Sequence, residues 1–208
     1  MRGGSNEERL YLFDSPEDDV NKTLMPNMDQ LIARHKSRYH LAAFLARPGM
    51  NVLDFPCGSG YGRELLGDVY YDGKDNDWKT LRYGQRFYDG VFGMDDLTCP
   101  QLIKNYYDLI LCIDGLEHID SEYHEPLINA FYEALVPGGR LLVSTPEAQG
   151  DSGPSTSNPY HLWELEFDDF YDLLYTQFDD VQVIEYEDVL HNGVKTNCMY
   201  AIARRGND

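Results

Sequence analysis

The stretch at residues 52–62, VLDFPCGSGYG, decides the fold of this chain. A short apolar run leads directly into a bend that is rich in glycine. Glycine lets the backbone approach a ligand closely, and the first N–H groups of a following helix lack intrahelical partners. A bare G-x-G-x-G is weak evidence, because many strand-to-helix turns need glycine for geometry alone. We interpret this stretch as a strand that ends in a candidate ligand-binding turn.

Outward from this turn, short apolar runs alternate with amphipathic segments. The pattern predicts strands at 51–55, 69–74, 90–94, 107–113, 140–144, 181–189 and 197–203, helices at 21–47, 77–87, 122–135 and 167–178, and a helical turn at 63–66. Such alternation predicts an α/β fold with a mostly parallel sheet and helices on both faces. A short turn around residues 191–193 separates the last two strands, so we expect the last strand to be antiparallel.

Composition limits the classes of partner. The 208 residues suit one domain, which we place at 21–208 after a flexible acidic arm at 1–20. With 17 Lys and Arg against 36 Asp and Glu, the net charge is −19. That charge argues against nucleic acid and against anionic membranes as partners. No apolar run reaches the roughly 18 to 20 residues of a membrane span, and the N-terminus does not resemble a secretory signal.

The four cysteines show no C-x-x-C pair and no regular spacing. We therefore expect reduced thiols and a cytoplasmic location.

Acidic residues follow the predicted strands beside the bend. Asp54 ends the first strand, and Asp75 lies 17 residues after Gly58. A carboxylate at the end of the second strand can accept both ribose hydroxyls of an adenosine. Asp95 and Asp96 follow the third strand, where a side chain can meet the adenine amino group. The glycines do not match the dinucleotide pattern G-x-G-x-x-G, which argues against a nicotinamide enzyme.

Taken together, these motifs resemble the class I S-adenosylmethionine-dependent methyltransferases over residues 31–204. Five segments carry the resemblance: LDFPCGSG at 53–60, GKD at 73–75, GMDD at 93–96, YDLILCIDGLEH at 107–118 and LVPGGRL at 135–141. HKSRY at 35–39 and NPYHL at 158–162 resemble a subgroup often linked to polysaccharide or small-molecule methylation. The resemblance implies a Rossmann-like, seven-stranded, mostly parallel sheet with an antiparallel last strand, and S-adenosylmethionine as the cofactor.

The resemblance also implies roles for single residues. The expected cofactor-binding residues are Arg38, Asp54, Pro56, Gly58, Gly60, Asp75, Asp95, Asp96 and Asp114. Asp75 would hold the ribose, and an arginine such as Arg38 can pair with the cofactor's carboxylate. Pro56 departs from the family pattern, because it stands where the first glycine usually lies, fixes φ near −65° and has no N–H.

Candidate catalytic residues follow the fourth and fifth strands. Methyl transfer needs a nucleophile held in line with the S–CH₃ bond and, for a hydroxyl, a proton acceptor. Glu117 and His118 end the fourth strand, and His161 lies in a long loop at 146–163. Histidine accepts a proton near neutral pH. The alternatives are that Glu117 and His118 only orient the following helix, and that His161 faces solvent.

A metal is the disfavoured alternative at the same residues. The D-x-x-E-H run plus a distant histidine also resembles the E-x-x-E-H…His arrangement of certain metal-assisted O-methyltransferases, in which a divalent cation lowers the pKa of the attacked hydroxyl. Asp114 is shorter than the glutamate of that arrangement, and the E-H pair also occurs in relatives without a metal. We therefore expect no metal ligands.

The resemblance thus implies a methyltransferase that acts on a small molecule or glycan, by O-methylation. Two alternatives stay open. One is a non-catalytic subunit of a larger assembly that keeps the pocket, which Pro56 and the acidic surface favour. The other is an enzyme that uses the same cofactor for a different reaction.

Overall fold

The computed structural model describes residues 28–189 and 195–207, with side chains described for 36–187 and 195–207. The predicted arm at 1–20 and the turn at 191–193 lie outside the described residues. No helix within the described part of the chain is long and apolar enough to cross a membrane.

Four α-helices and seven strands follow one another along this part of the chain. The helices are α1 (Met28–Leu45), α2 (Trp78–Phe87), α3 (His124–Ala134) and α4 (Phe167–Tyr175). The strands are β1 (Asn51–Asp54), β2 (Tyr70–Asp75), β3 (Val91–Met94), β4 (Tyr107–Ile113), β5 (Leu135–Pro146), β6 (Asp180–Val189) and β7 (Lys195–Arg204). Short 3₁₀ helices lie at Tyr61–Leu65, Leu116–His118 and Ser121–Tyr123.

The strands form one sheet in the order β3-β2-β1-β4-β5-β7-β6. The first five strands pair in parallel, and β7 runs antiparallel to both β5 and β6. The predicted seven-stranded, mostly parallel sheet with an antiparallel last strand is confirmed.

The bounds of β5 differ from the prediction. The strand begins at Leu135 rather than at residue 140, because Leu135 already pairs with Tyr107 and the regular ladder resumes at Leu109 and Arg140. The intervening proline and glycines form an irregularity inside the strand instead of a turn before it.

Apolar residues pack on both faces of the sheet. Leu53, Ile110 and Phe131 belong to the core under α3 and α4. Val52 and Leu109 belong to the core that also contains residues of α1 and α2. Successive side chains of β1 and β4 therefore point to opposite buried faces, which is why β4 reads as a continuous apolar run.

The strand register places the site. Asp54 pairs with Gly73 across one side of β1 and with Leu111 across the other, while Ile113 pairs with Ser144. The carboxyl ends of neighbouring parallel strands therefore lie along one edge of the sheet, where ligands bind in open α/β folds.

Candidate functional site

The glycine bend lies directly beside the acid that ends β2. Gly58 has φ +54° and Gly60 has φ +82°, a left-handed region that glycine enters without strain. The Gly58 N–H donates to Oδ2 of Asp75 at 3.0 Å, and the Asp77 N–H donates to Oδ1 at 3.0 Å. Asp75 is 2% exposed. The structure therefore brings the predicted ribose acid to the bend.

The Asp54 carboxylate is fully buried beneath α1. Its oxygens accept hydrogen bonds from the Tyr71 hydroxyl at 2.7 Å and from the Tyr39 hydroxyl at 3.2 Å. Burial raises the pKa of Asp54 to about 7, although both phenol hydrogen bonds act in the opposite direction. Sequence reasoning missed both tyrosines. A direct contact between Asp54 and the cofactor stays a prediction.

Pro56 is accommodated by a second glycine. A Cβ added at Gly115 would lie 2.5 Å from Cδ of Pro56. The peptide bond between Phe55 and Pro56 is cis. The proline that departs from the family pattern therefore occupies the space that any side chain at residue 115 would need.

Asp95 and Asp96, the two acids after β3, accept hydrogen bonds from main-chain N–H groups of the loop that follows this strand. Oδ1 of Asp95 accepts from the N–H groups of Asp96 and Gln101, and Oδ2 pairs with Nζ of Lys74 at 3.1 Å. Oδ1 of Asp96 accepts from the N–H and the hydroxyl of Thr98. These contacts shape the loop, and the predicted adenine contact of Asp95 or Asp96 stays a prediction.

An ion pair joins α1 to the end of β4. Arg38 pairs with Oδ2 of Asp114, while the Ser144 hydroxyl donates to Oδ1 of Asp114 at 2.7 Å. Asp114 has φ +48°, an unusual backbone conformation for a residue with a side chain. Burial, the largest single effect, acts to lower the pKa of Arg38, but Asp114 and three neighbouring tyrosines (Tyr61, Tyr186 and Tyr200) together raise that pKa above its ordinary value. Burial raises the pKa of the neighbouring Tyr61 hydroxyl, and the positive charge of Arg38 only partly opposes this rise.

The three predicted catalytic side chains, Glu117, His118 and His161, lie close together just beyond the carboxyl end of β4. Ligand atoms of Glu117, His118 and His161 all lie within 4.8 Å of one another. The two imidazole rings meet edge to face with their centroids 5.2 Å apart. Glu117 is 1% exposed. The structure therefore places His161, from a loop distant in sequence, beside Glu117 and His118 at the end of β4.

Glu117 is held as a buried acid. Burial, reinforced by the charge of Asp114, raises the pKa of Glu117 to about 8, while the charge of His161 lowers it. The Thr145 hydroxyl donates to its Oε2 at 3.2 Å. Burial therefore favours the protonated form of Glu117, which can donate a hydrogen bond, and its catalytic role stays a prediction.

The loop that carries His161 is attached to the same residue. The N–H groups of Leu162 and Trp163 donate to the main-chain carbonyl of Glu117 at 2.7 and 3.3 Å. Nδ1 of His161 lies 2.6 Å from Oε1 of Glu164, and Nδ1 of His118 lies 3.1 Å from the carbonyl oxygen of Tyr160. Sequence reasoning missed Glu164, although its spacing of three residues from His161 was available as a signal.

Two imidazoles and one carboxyl group also fit a divalent cation. Asp114 does not join these three groups, because Arg38 and Ser144 hold its two oxygens. The geometry therefore suits both a proton acceptor pair and a three-ligand cation site.

Comparison with known proteins gives consistent matches. A family model described as a methyltransferase domain matches residues 27–178. A protein of Mycolicibacterium smegmatis named "Probable S-adenosylmethionine-dependent methyltransferase" is 30% identical over 156 residues, which are 72% of this chain and 59% of that protein. This chain therefore spans less than two thirds of that relative's length.

Solved structures share the fold. A methyltransferase from Methanosarcina mazei superposes with a TM-score of 0.67 at 14% identity, over 81% of this chain and 98% of that one. Phosphoethanolamine N-methyltransferase 2 of Haemonchus contortus, in complex with phosphomonomethylethanolamine and S-adenosylhomocysteine, gives 0.67 at 15% identity, over 88% and 53%. Since the family model covers well over half of the sequence, the chain belongs to the class I S-adenosylmethionine-dependent methyltransferases.

Proposed function

We propose that this domain transfers a methyl group from S-adenosylmethionine to a hydroxyl group of a small molecule or glycan. One observation carries the proposal: His118 and His161 come together beside Glu117, at the edge of the sheet that also holds the glycine bend. A cofactor site and a proton-accepting site on one edge are what hydroxyl methylation requires.

The cofactor would lie along the edge from β3 to β4. Asp75 would bind the ribose, and Asp95 or Asp96 would bind the adenine. The bend with Pro56, Gly58 and Gly60 would bind the methionine end.

The amino-acid end of the cofactor is a zwitterion, and Arg38 with Asp114 offers one charge of each sign. Asp54, which Tyr71 and Tyr39 hold through hydrogen bonds, would frame the methionine end together with the bend.

The residues beside this end would carry the chemistry. When bound, the cofactor supplies an electrophilic methyl group on a sulfonium. An imidazole of His118 or His161 would accept the hydroxyl proton of the acceptor as its oxygen is methylated, and the demethylated cofactor would leave as S-adenosylhomocysteine. The protonated Glu117 would donate a hydrogen bond within this group.

Titration calorimetry tests the cofactor site. We expect wild type to bind S-adenosylmethionine and S-adenosylhomocysteine, and Asp75→Ala to lose at least about tenfold in affinity, because buried hydrogen bonds to a charged group contribute about 1.5 to 3 kcal/mol. Asp68→Ala, at an exposed acid away from the bend, is the matched control and should bind normally. A wild-type chain that binds neither compound contradicts the proposal.

Turnover tests the reaction and its acceptor class. We would measure S-adenosylhomocysteine formation with a panel of phenols, sugars, and phosphoethanolamine. The last is included because a structural neighbour is a phosphoethanolamine methyltransferase. His118→Gln and His161→Gln should bind cofactor normally and lose about 100-fold or more in kcat. Cofactor binding without any turnover would favour the non-catalytic subunit, and other cofactor products would indicate a different reaction.

Metal-assisted O-methylation is the second candidate, favoured by the 4.8 Å grouping of Glu117, His118 and His161. In that case a bound divalent cation would lower the pKa of the acceptor hydroxyl. Calorimetry with Mg²⁺, Mn²⁺ and Zn²⁺ should then show one site per chain that His161→Gln removes, and a chelator should abolish turnover. Full turnover in a chelator would exclude this candidate.

A further inference from the structure

The imidazoles of His118 and His161 both direct Nδ1 at an oxygen acceptor. Nδ1 of His118 lies 3.1 Å from the main-chain oxygen of Tyr160, and Nδ1 of His161 lies 2.6 Å from Oε1 of Glu164. The two acceptors lie four residues apart in the loop at 147–166, which connects β5 with α4. The loop therefore supplies His161 and also a partner for each ring.

These acceptors have no proton to give. A carbonyl oxygen only accepts hydrogen bonds, so Nδ1 of His118 must carry the hydrogen of that contact. The Glu164 carboxylate likewise offers only acceptor oxygens, and its Oε1 lies 2.6 Å from Nδ1 of His161. In each neutral ring, Nδ1 then holds the hydrogen and Nε2 holds the lone pair.

The backbone around Glu164 is well placed for this task. Glu164 and Gly153 exchange both of their main-chain hydrogen bonds, at 2.8 and 2.9 Å. The Ser152 hydroxyl accepts from the Glu166 N–H at 2.9 Å. Glu164 is thus fixed on both sides by contacts inside the loop, and its side chain is only 13% exposed.

We propose that Glu164 and the main-chain carbonyl of Tyr160 are positioning groups that hold His161 and His118 as Nδ1–H tautomers, so that Nε2 is the basic atom of both rings. The consequence for catalysis rests on the proposed function, whereas the tautomers themselves do not. The assignment is the same whether Nε2 accepts a proton or binds a cation, because either task needs a lone pair on that atom.

Nitrogen NMR of the full chain labelled with ¹⁵N-histidine tests the assignment, at a pH above the ordinary histidine pKa. The wild type should show both rings as Nδ1–H tautomers, with signals assigned through His118→Gln and His161→Gln. Glu164→Leu keeps a comparable volume but removes the acceptor. We expect His161 in that variant to shift to the Nε2–H form, which is the commoner form in water.

Two controls distinguish the tautomer shift of His161 from a general loss of structure in the loop. In Glu164→Leu, His118 should keep its tautomer, because its acceptor is a main-chain carbonyl. Glu166→Leu, at another partly buried acid of the same loop, should leave both rings unchanged. If the leucine variant does not fold, Glu164→Met provides the second variant: its side chain also lacks an oxygen acceptor and should shift His161 to the Nε2–H form in the same way.

The expected kinetic effect is a fall in kcat of about 10- to 100-fold in Glu164→Leu, with KM for the panel acceptor and cofactor affinity nearly unchanged. The proposal would be overturned by a wild type with His161 in the Nε2–H form, or by a Glu164→Leu variant whose His161 keeps a pure Nδ1–H form. A chain that binds no cofactor but shows the expected tautomers would refute the proposed function and leave the tautomer assignment standing.

Discussion

The ring of Pro56 occupies space that is available only because Gly115 has no side chain. Any Cβ at residue 115 would approach the proline ring to 2.5 Å and the Cys112 sulfur to 3.1 Å. Gly115 has φ −124°, so its backbone does not require glycine, and only the lack of space does. The unusual proline in the bend is therefore matched by an absent side chain at the end of β4.

Gly115→Ala should destabilise the protein by about 1 to 3 kcal/mol, because an added methyl in a packed site forces its neighbours to shift. Gly93→Ala is the matched control, since a Cβ there meets nothing within 4 Å. Denaturant unfolding of both variants measures the difference. Equal stability of Gly115→Ala and wild type would show that the proline ring is free to move.

Asp54 is a buried acid whose oxygens accept hydrogen bonds from two tyrosine hydroxyls, and its pKa, raised by burial to about 7, has a consequence for stability. The unfolded chain releases this proton near the ordinary aspartate value, whereas the folded chain keeps it up to about pH 7. The contribution of Asp54 to stability is therefore complete below the unfolded pKa and is lost as the pH rises through 7.

Asp54→Asn should make the free energy of unfolding less dependent on pH between about 4 and 7, by up to about 1.4 kcal/mol per pH unit for one proton. Asp68→Asn, which removes an exposed carboxylate, is expected to keep the wild-type dependence. Chemical unfolding at a series of pH values gives the slopes. The pKa assignment would be wrong if Asp54→Asn and wild type had the same slope.

At the scale of elements, Tyr39 is one of the side chains that attach α1 to the sheet. The Tyr39 hydroxyl reaches Asp54, and its ring contacts the Tyr61 ring edge to face at 5.3 Å. The same ring fills the space beside Gly62, where a Cβ would collide with it. Tyr39 therefore connects α1 with β1 and with the 3₁₀ helix that follows the glycine bend.

Tyr39→Phe keeps the ring and removes the hydroxyl, so it should lower the free energy of unfolding by about 1 to 2 kcal/mol. Hydrogen exchange of the amides at 38–45 should accelerate more than that of β4. Tyr70→Phe, at a tyrosine that is 71% exposed, serves as the control. Unchanged exchange in α1 would mean that other contacts hold the helix.

For the whole molecule, the net charge of −19 opposes the compact state. Ion pairs such as Lys36 with Glu64 and Lys104 with Glu133 lie at the surface and contribute little individually. Repulsion among the excess of carboxylates is spread over the surface and is screened by salt.

The melting temperature should accordingly rise by a few degrees when NaCl increases from about 20 mM to about 200 mM, because the Debye length shortens to less than the spacing of many surface charges. A neutral osmolyte at equal osmolality controls for effects other than screening. A fall in the melting temperature would indicate that attractive ion pairs outweigh the net repulsion.

Most of the fold was predictable, because strands, helices and the glycine bend are encoded in local patterns. The run from Tyr107 to Ile113 is apolar because both of its faces are buried, and the structure gives β4 the same bounds. The start of β5 at Leu135 was not predictable, since pairing with Tyr107 overrides the tendency of the following proline and glycines to turn.

The sequence by itself determined the order of the elements, the family motifs and the residue types available at the strand ends, since each depends on neighbours along the chain. Only the tertiary structure decided that His161 meets His118, that Tyr39 reaches Asp54 and that Pro56 fills the space at Gly115. Those contacts join residues far apart in the chain, and the packing of whole elements sets the directions of their side chains.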